Sequence, residues 1–209
     1  MSKIIFQPSI VLDMICYFEK SSLSDTQWMN QNQIKIIRKI NRMLGKDFNH
    51  ECLGMSTLSL ILSIYADNST LAYMTFDDLI TIFYDSKHLI QKVKSVEMSE
   101  YTRSYVYPML DWLENGYSEK YVEKLQRLKD IGFEEIYNNE ILPIIKEEAS
   151  RYQDETDCYQ SEKLVYMISK MKQREINNDI HIFVSFFSAP TAFTLYNGSY
   201  LTCFISGKV

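Results

Sequence analysis

The 209-residue sequence predicts an α+β fold, predominantly α-helical, with a C-terminal three-stranded antiparallel β-meander. Three observations carry this. Apolar residues recur at steps of three and four through the first three-quarters of the chain, the signature of helices burying one face. Residues that cap or stop helices fall between those stripes. After residue 179 the apolar period changes to two, as in strands. No internal repeat and no Gly-, Ser- or Pro-rich linker interrupts the pattern, so a single domain over 1–209 is expected, helical over 1–176 and a β-meander over 179–206.

A short helix is predicted over Ser9 to Phe18, with Ile10, Met14, Tyr17 and Phe18 on one side. Ser24 or Asp25 can cap the next, because a short side-chain oxygen accepts a free backbone N–H there. That helix carries Ile36, Ile37, Ile40, Met43 and Leu44 and stops at Gly45, which takes a left-handed conformation without strain. Leu53 to Ala66 forms a third. Thr75 followed by Asp77 and Asp78 resembles a helix start, with the acids at the positive end of the dipole. Leu79, Ile80, Phe83, Ile90 and Val93 follow, with a break near Asp85–Ser86. From Ser99, the residues Tyr101, Tyr105, Met109, Trp112 and Leu113 make one face, Pro108 kinks the helix, and Gly116 ends it. Ser118 caps the next helix, striped by Tyr121, Leu125 and Leu128 and ended by Gly132. A longer helix over Phe133 to Gln153 is interrupted at Pro143, and another runs from Asp157 to Arg174 with Leu164, Ile168 and Met171 inward.

Ile180, Ile182, Val184 and Phe186 alternate with His181, Phe183, Ser185 and Phe187 in the first predicted strand, so both of its faces are apolar. Such a strand needs cover on both sides. Thr191 to Tyr196 and Ser199 to Ser206 are the second and third strands. Between them stands Asn197–Gly198, a pair suited to the positive φ values of a tight hairpin turn. Cover for the aromatic residues of these strands is expected from the helices, from a missing C-terminal segment or from a second copy of the chain.

Bulk composition narrows the functional classes. With 22 Lys+Arg against 27 Asp+Glu the net charge is −5, and the pI of about 5.3 argues against a dedicated nucleic-acid binder. Six Gly and four Pro exclude collagen-like and low-complexity chains, and 46% hydrophobic residues exclude intrinsic disorder. The Leu53–Ala66 run is shorter than the roughly 20 residues a bilayer requires, so no membrane partner is expected. Cys16, Cys52, Cys158 and Cys203 stand alone, with no C-x-x-C pair. Isolated thiols without a signal peptide point to a reducing compartment, the cytoplasm.

No catalytic set assembles from spacing. His50–Glu51 begins an H-E-x-x-H pattern, but Gly54 stands where the second imidazole must be. His88 reads as a surface residue and His181 as a half-buried strand histidine. There is no G-x-S-x-G elbow and no phosphate-binding glycine loop. The acid pairs Asp77/Asp78, Glu134/Glu135 and Glu147/Glu148 point about 100° apart on a helix and read as solvated charges. One pattern is regular: Lys35, Arg38, Lys39, Arg42 and Lys46 form a basic stripe opposite Ile36 and Ile40, able to dock an acidic partner or a phosphate-bearing ligand.

The run Phe186-Phe187-Ser188-Ala189-Pro190-Thr191-Ala192-Phe193-Thr194-Leu195-Tyr196-Asn197-Gly198, with Leu53-Gly54-Met55-Ser56-Thr57-Leu58-Ser59-Leu60 upstream, resembles a group of uncharacterised bacterial proteins. In those a helical region leads into a β-hairpin and then into the H-E-x-x-H helix of gluzincin-like zinc metallopeptidases. The resemblance implies that Thr191, Ala192, Phe193, Thr194, Leu195 and Tyr196, or alternatively Ser199 to Phe204, form the strand that pairs with substrate. The sequence departs from the family by stopping at Val209, before the metal-binding helix, so no cofactor is expected and zinc enters only with a missing C-terminal segment. The expectation is a catalytically inactive or truncated domain resembling the pre-catalytic part of such an enzyme. The competing expectation is a complete non-enzymatic interaction domain that binds a protein partner through its C-terminal hairpin or its basic stripe. A small-molecule sensor, the third class, has no specific residue behind it.

Overall fold

The computed structural model describes residues 4–21, 30–48, 55–158, 180–187, 193–197 and 200–206. Helices dominate, joined by a small sheet. Strand β1 (Ile4–Gln7) leads through Pro8 into helix α1 (Ile10–Ser21). Ser9 caps α1: its hydroxyl accepts from the Leu12 amide at 3.3 Å and donates to the Leu71 carbonyl at 2.7 Å. Helices α2 (Gln31–Leu44), α3 (Met55–Leu71), α4 (Phe76–Tyr84), α5 (Ser86–Lys94) and α6 (Glu100–Trp112) follow. A bend through Asn115 and Gly116 leads to α7 (Ser118–Asp130); the short α8 (Phe133–Ile136) and α9 (Leu142–Cys158) come next. Strands β2 (Ile180–Ser185), β3 (Phe193–Asn197) and β4 (Tyr200–Ser206) complete the described chain.

Local chemistry explains most boundaries. Asn30 and Gln33 form a reciprocal capping box at the start of α2, and Thr75 and Asp78 form another at α4. Gly45 and Gly116 stand at helix ends with φ of 84° and 98°, a region that costs a side-chain-bearing residue steric strain. Ser118 is the first residue of α7 rather than its cap, and its hydroxyl donates to the Leu113 carbonyl at 3.1 Å. The interruption expected at Pro143 falls one turn earlier, in a wide π-type turn over Tyr137–Ile141. Pro143 sits in the first turn of α9, where its missing N–H is tolerated. The proposed Ser24 or Asp25 cap lies outside the described residues, as do Leu164, Ile168 and Met171 of the expected 157–174 helix.

The antiparallel meander is not what forms. The sheet order is β1-β2-β4-β3. β2 pairs parallel with β1 (Ile4↔Ile180 to Gln7↔Phe183) and parallel with β4 (Ile182↔Cys203 to Ser185↔Ser206). β3 pairs antiparallel with β4. The physical reason lies in β2 itself, in which Ile182, Phe183, Val184 and Ser185 are all buried although neighbours point to opposite faces. A strand covered on both faces favours an interior position, which a meander, placing it at an edge, would deny. β1, absent from the helical reading of 1–176, supplies the missing neighbour.

Helices α1 and α9 pack against β2, α9 also against β1, and α3 against β4. Helix α1 is the centre of the molecule: every residue from Val11 to Phe18 is buried. An aromatic chain ties it to its surroundings. Tyr17 lies 5.9 Å from Phe133 and 5.3 Å from Phe187, and Phe133 stacks on Phe76 at 5.5 Å between ring centroids. The stripe expected on α6 is partly reversed. Met109 and Leu113 are buried with Thr102, Val106 and Leu110, whereas Tyr101, Tyr105 and Trp112 are exposed. Met43, expected on the apolar face of α2, is also exposed.

Candidate functional site

Helix α2 buries Gln33, Ile36, Ile37, Ile40 and Leu44 and turns Lys35, Arg38, Lys39 and Arg42 to solvent on the opposite side, with Lys46 just beyond its end. The opposition follows from the 100° step between successive helical residues. Arg38, Arg42 and Lys46 line one open groove of about 500 Å³, with Asn41 and Gly45 between them. The groove has a firm base: Asn41 accepts a 2.6 Å hydrogen bond from the Tyr17 hydroxyl, and Arg127 donates to the Leu44 carbonyl at 3.1 Å. Lys39 is drawn aside into an ion pair with Glu140. Among the described residues, Lys35, Arg38, Arg42 and Lys46 have no carboxylate within 4 Å.

The strand residues implied by the resemblance divide. Thr191 and Ala192 lie outside the described residues. Phe193, Thr194, Leu195 and Tyr196 fall in β3, at the end of the sheet, paired with Phe204, Cys203, Thr202 and Leu201 respectively. Of the alternative strand, Ser199 lies outside the described residues and Tyr200 to Phe204 fall in β4. The basic groove and β3 belong to separate parts of the fold and share no lining residue.

A buried polar group escaped the sequence reading. Asp13, in the first turn of α1, is only 1% exposed; it accepts hydrogen bonds from the Ser185 hydroxyl and, at 3.2 Å, from the Phe187 amide. Gln33 of α2 donates to the Phe186 carbonyl nearby. Side chains from α1 and α2 thus hold the carboxyl end of β2. Burial pushes the Asp13 carboxyl up to about 7, and the hydrogen bonds from Ser185, Phe187 and Phe186 pull in the opposite sense. Its Oδ2 and the Tyr137 hydroxyl have no hydrogen-bond partner among the described residues. Burial first, then the nearby Asp13, pushes the Tyr137 phenol far above its ordinary range. Tyr137 and Ser9 line a cleft of about 380 Å³ with Thr75, Glu134, Asn138 and Lys146, but Asp13 is not on its wall. Off the wall of that cleft and hydrogen-bonded to the end of β2, Asp13 reads as a structural tie between α1 and the sheet. A lone acid within an apolar run from Ile10 to Phe18 was the signal available for it.

Of the histidines, His88 is exposed with its ring edge-to-face to Tyr65 at 5.9 Å, and Nδ1 of His181 lies 2.8 Å from Nε2 of Gln7. His50 and Glu51 lie outside the described residues. Among the described residues no group of three His, Cys, Asp or Glu side chains could hold a metal ion. No helix among them is long and apolar enough to cross a membrane.

No family model, curated protein or solved structure matches this chain. The geometry of its own surface therefore carries the functional reading.

Proposed function

We propose that the chain is a non-enzymatic interaction domain that docks an acidic protein segment on the basic face of α2. The supporting observation is the convergence of Arg38, Arg42 and Lys46 on one groove with no counter-charge within ion-pair distance among the described residues. The helix dipole favours a cation such as Arg42 in the last turn, but not Lys35, which lies near the other end. Arg38 and Arg42 are four residues apart, a like-charge spacing that costs an isolated helix a few tenths of a kcal/mol. An acidic ligand relieves that repulsion. Two arginines also suit carboxylates, which they can grip through two parallel hydrogen bonds.

Fluorescence anisotropy of a labelled Glu-rich peptide titrated with the full chain at low salt tests the reading. Arg38→Glu with Arg42→Glu is expected to weaken binding by about tenfold or more. Equal affinity in the variant would overturn it.

The second reading, the pre-catalytic part of a gluzincin-like metallopeptidase, is supported by the position of β3 at the end of the sheet, where an extended peptide can add as a further strand. Reading the coding sequence past Val209 tests it: an H-E-x-x-H helix there would support this assignment, and a stop without one would remove it.

A further inference from the structure

Helix α6 carries a second face that the core does not use. Tyr101, Tyr105, Pro108 and Trp112 recur at steps of four, three and four, so they form one stripe, and all four are exposed. Tyr101 is 77% exposed, and Tyr105 and Trp112 are 40% exposed each. The Tyr101 and Tyr105 rings meet edge-to-face at 4.8 Å, so the two sidechains present a joined surface. Tyrosine and tryptophan in a contiguous exposed patch are the residue types that dominate protein-binding surfaces.

The flank of the stripe is acidic. Glu100 and Asp111 project on the same side of it, roughly 90° to 110° around the helix from its centre line, with the uncharged Ser104 nearer the stripe on that side. Asp111 is only loosely neutralised, with Lys94 at 3.8 Å. This charge pattern argues against antiparallel pairing of the stripe with itself. In an antiparallel two-fold contact each acidic flank would face its own copy, and like charges would be juxtaposed.

A cationic surface is the complement, and the chain carries one. The stripe spans twelve residues, Tyr101 to Trp112, roughly 16 Å at the helical rise, and the basic face from Lys35 to Lys46 covers the same number of residues. Guanidinium groups are favoured over the faces of Tyr and Trp rings as well as beside carboxylates.

We infer that the aromatic and acidic face of α6 is the docking surface for the α2 basic face of a second copy of this chain. The inference rests on the reading of α2 as a face for acidic partners, and names that partner. Arg38 and Arg42 supply the cations; Tyr105, Trp112 and Asp111 receive them. The contact uses different faces on the two copies, so each chain has one donor and one acceptor surface.

That asymmetry gives the test. Sedimentation equilibrium of the full chain at about 50 mM salt is expected to show self-association that falls away at about 500 mM, where charges are screened. Two variants, Arg38→Glu with Arg42→Glu and Tyr105→Lys with Asp111→Lys, each change only exposed side chains, and circular dichroism checks that they fold. Each alone is expected to be monomeric, with association weakened by about tenfold or more. Mixed together, they are expected to form a 1:1 pair, because one retains an intact α6 face and the other an intact α2 face. A monomeric wild-type chain, or variants that fail to pair when mixed, would overturn the inference. Binding of the Glu-rich peptide by that same wild-type chain would leave the reading of α2 standing, whereas loss of both would remove the two together.

Discussion

At the scale of single residues, Asp13 has the clearest energetic consequence. Its carboxyl is raised from 3.8 to about 7 by burial, which at about 1.4 kcal/mol per unit makes the ionised form costly by on the order of 4 kcal/mol. Between those two values the folded chain retains a proton that the unfolded chain releases. Stability from this group is therefore fully present below pH 4, falls as pH rises toward 7, and is level above that. Asp13→Asn keeps an oxygen to accept from Ser185 and Phe187 but cannot ionise. Urea denaturation across pH 5 to 8 is expected to show stability falling in the wild-type chain and a much flatter profile in the variant; parallel profiles would show that Asp13 does not titrate in this window. The sequence displayed this acid plainly, set between Leu12 and Met14. Its burial was not legible, because a helix covered on every side depends on strands about 170 residues away.

At the scale of elements, the boundaries set by local chemistry were readable, and those set by packing were not. Thr75 is the clearest case of the first. Its hydroxyl accepts from the Asp78 amide at 3.2 Å, and the Asp78 carboxylate accepts from the Thr75 amide at 2.9 Å. These contacts hold the Asp78 carboxyl below its ordinary range, through the Thr75 backbone first and its hydroxyl second. The stabilisation is therefore present at neutral pH and is lost on acidification through the depressed value. Thr75→Ala is expected to cost about 1 kcal/mol, read from the shift of a chemical denaturation midpoint at neutral pH; no shift would mean that the box does not support α4. Helix α6 illustrates the opposite case. Tyr101, Tyr105 and Trp112 share one helical stripe and Val106, Met109 and Leu110 another, and hydropathy does not say which of two apolar faces meets the core. The break near Pro143 was readable as a break, but its position one turn upstream reflects how a proline fits the first turn of α9.

For the whole molecule, the decisive feature is the parallel pairing of β1 with β2, which joins the two ends of the described chain. A period-2 signal identified β2 as a strand, but Ile4–Gln7 is too short to show a period, and strand order is not encoded locally. Phe6 anchors this strand, stacked on Tyr152 of α9 at 5.8 Å between centroids and 9% exposed. Phe6→Ala is expected to destabilise the chain by about 3 kcal/mol or more in thermal or urea unfolding. A loss below about 1 kcal/mol would show that the N-terminal strand is peripheral. The sheet and the helices around α1 in turn fix α2, whose inner face is tied down through Gln33 and Tyr17 and whose outer face stays charged and open. The most direct test of that outer face as the docking site is a two-dimensional amide NMR titration of the full chain with a Glu-rich peptide. The predicted result is a set of shifts concentrated at Lys35, Arg38, Asn41, Arg42, Gly45 and Lys46 and lost in the Arg38→Glu, Arg42→Glu variant. Shifts centred elsewhere, or none at saturating peptide, would contradict it.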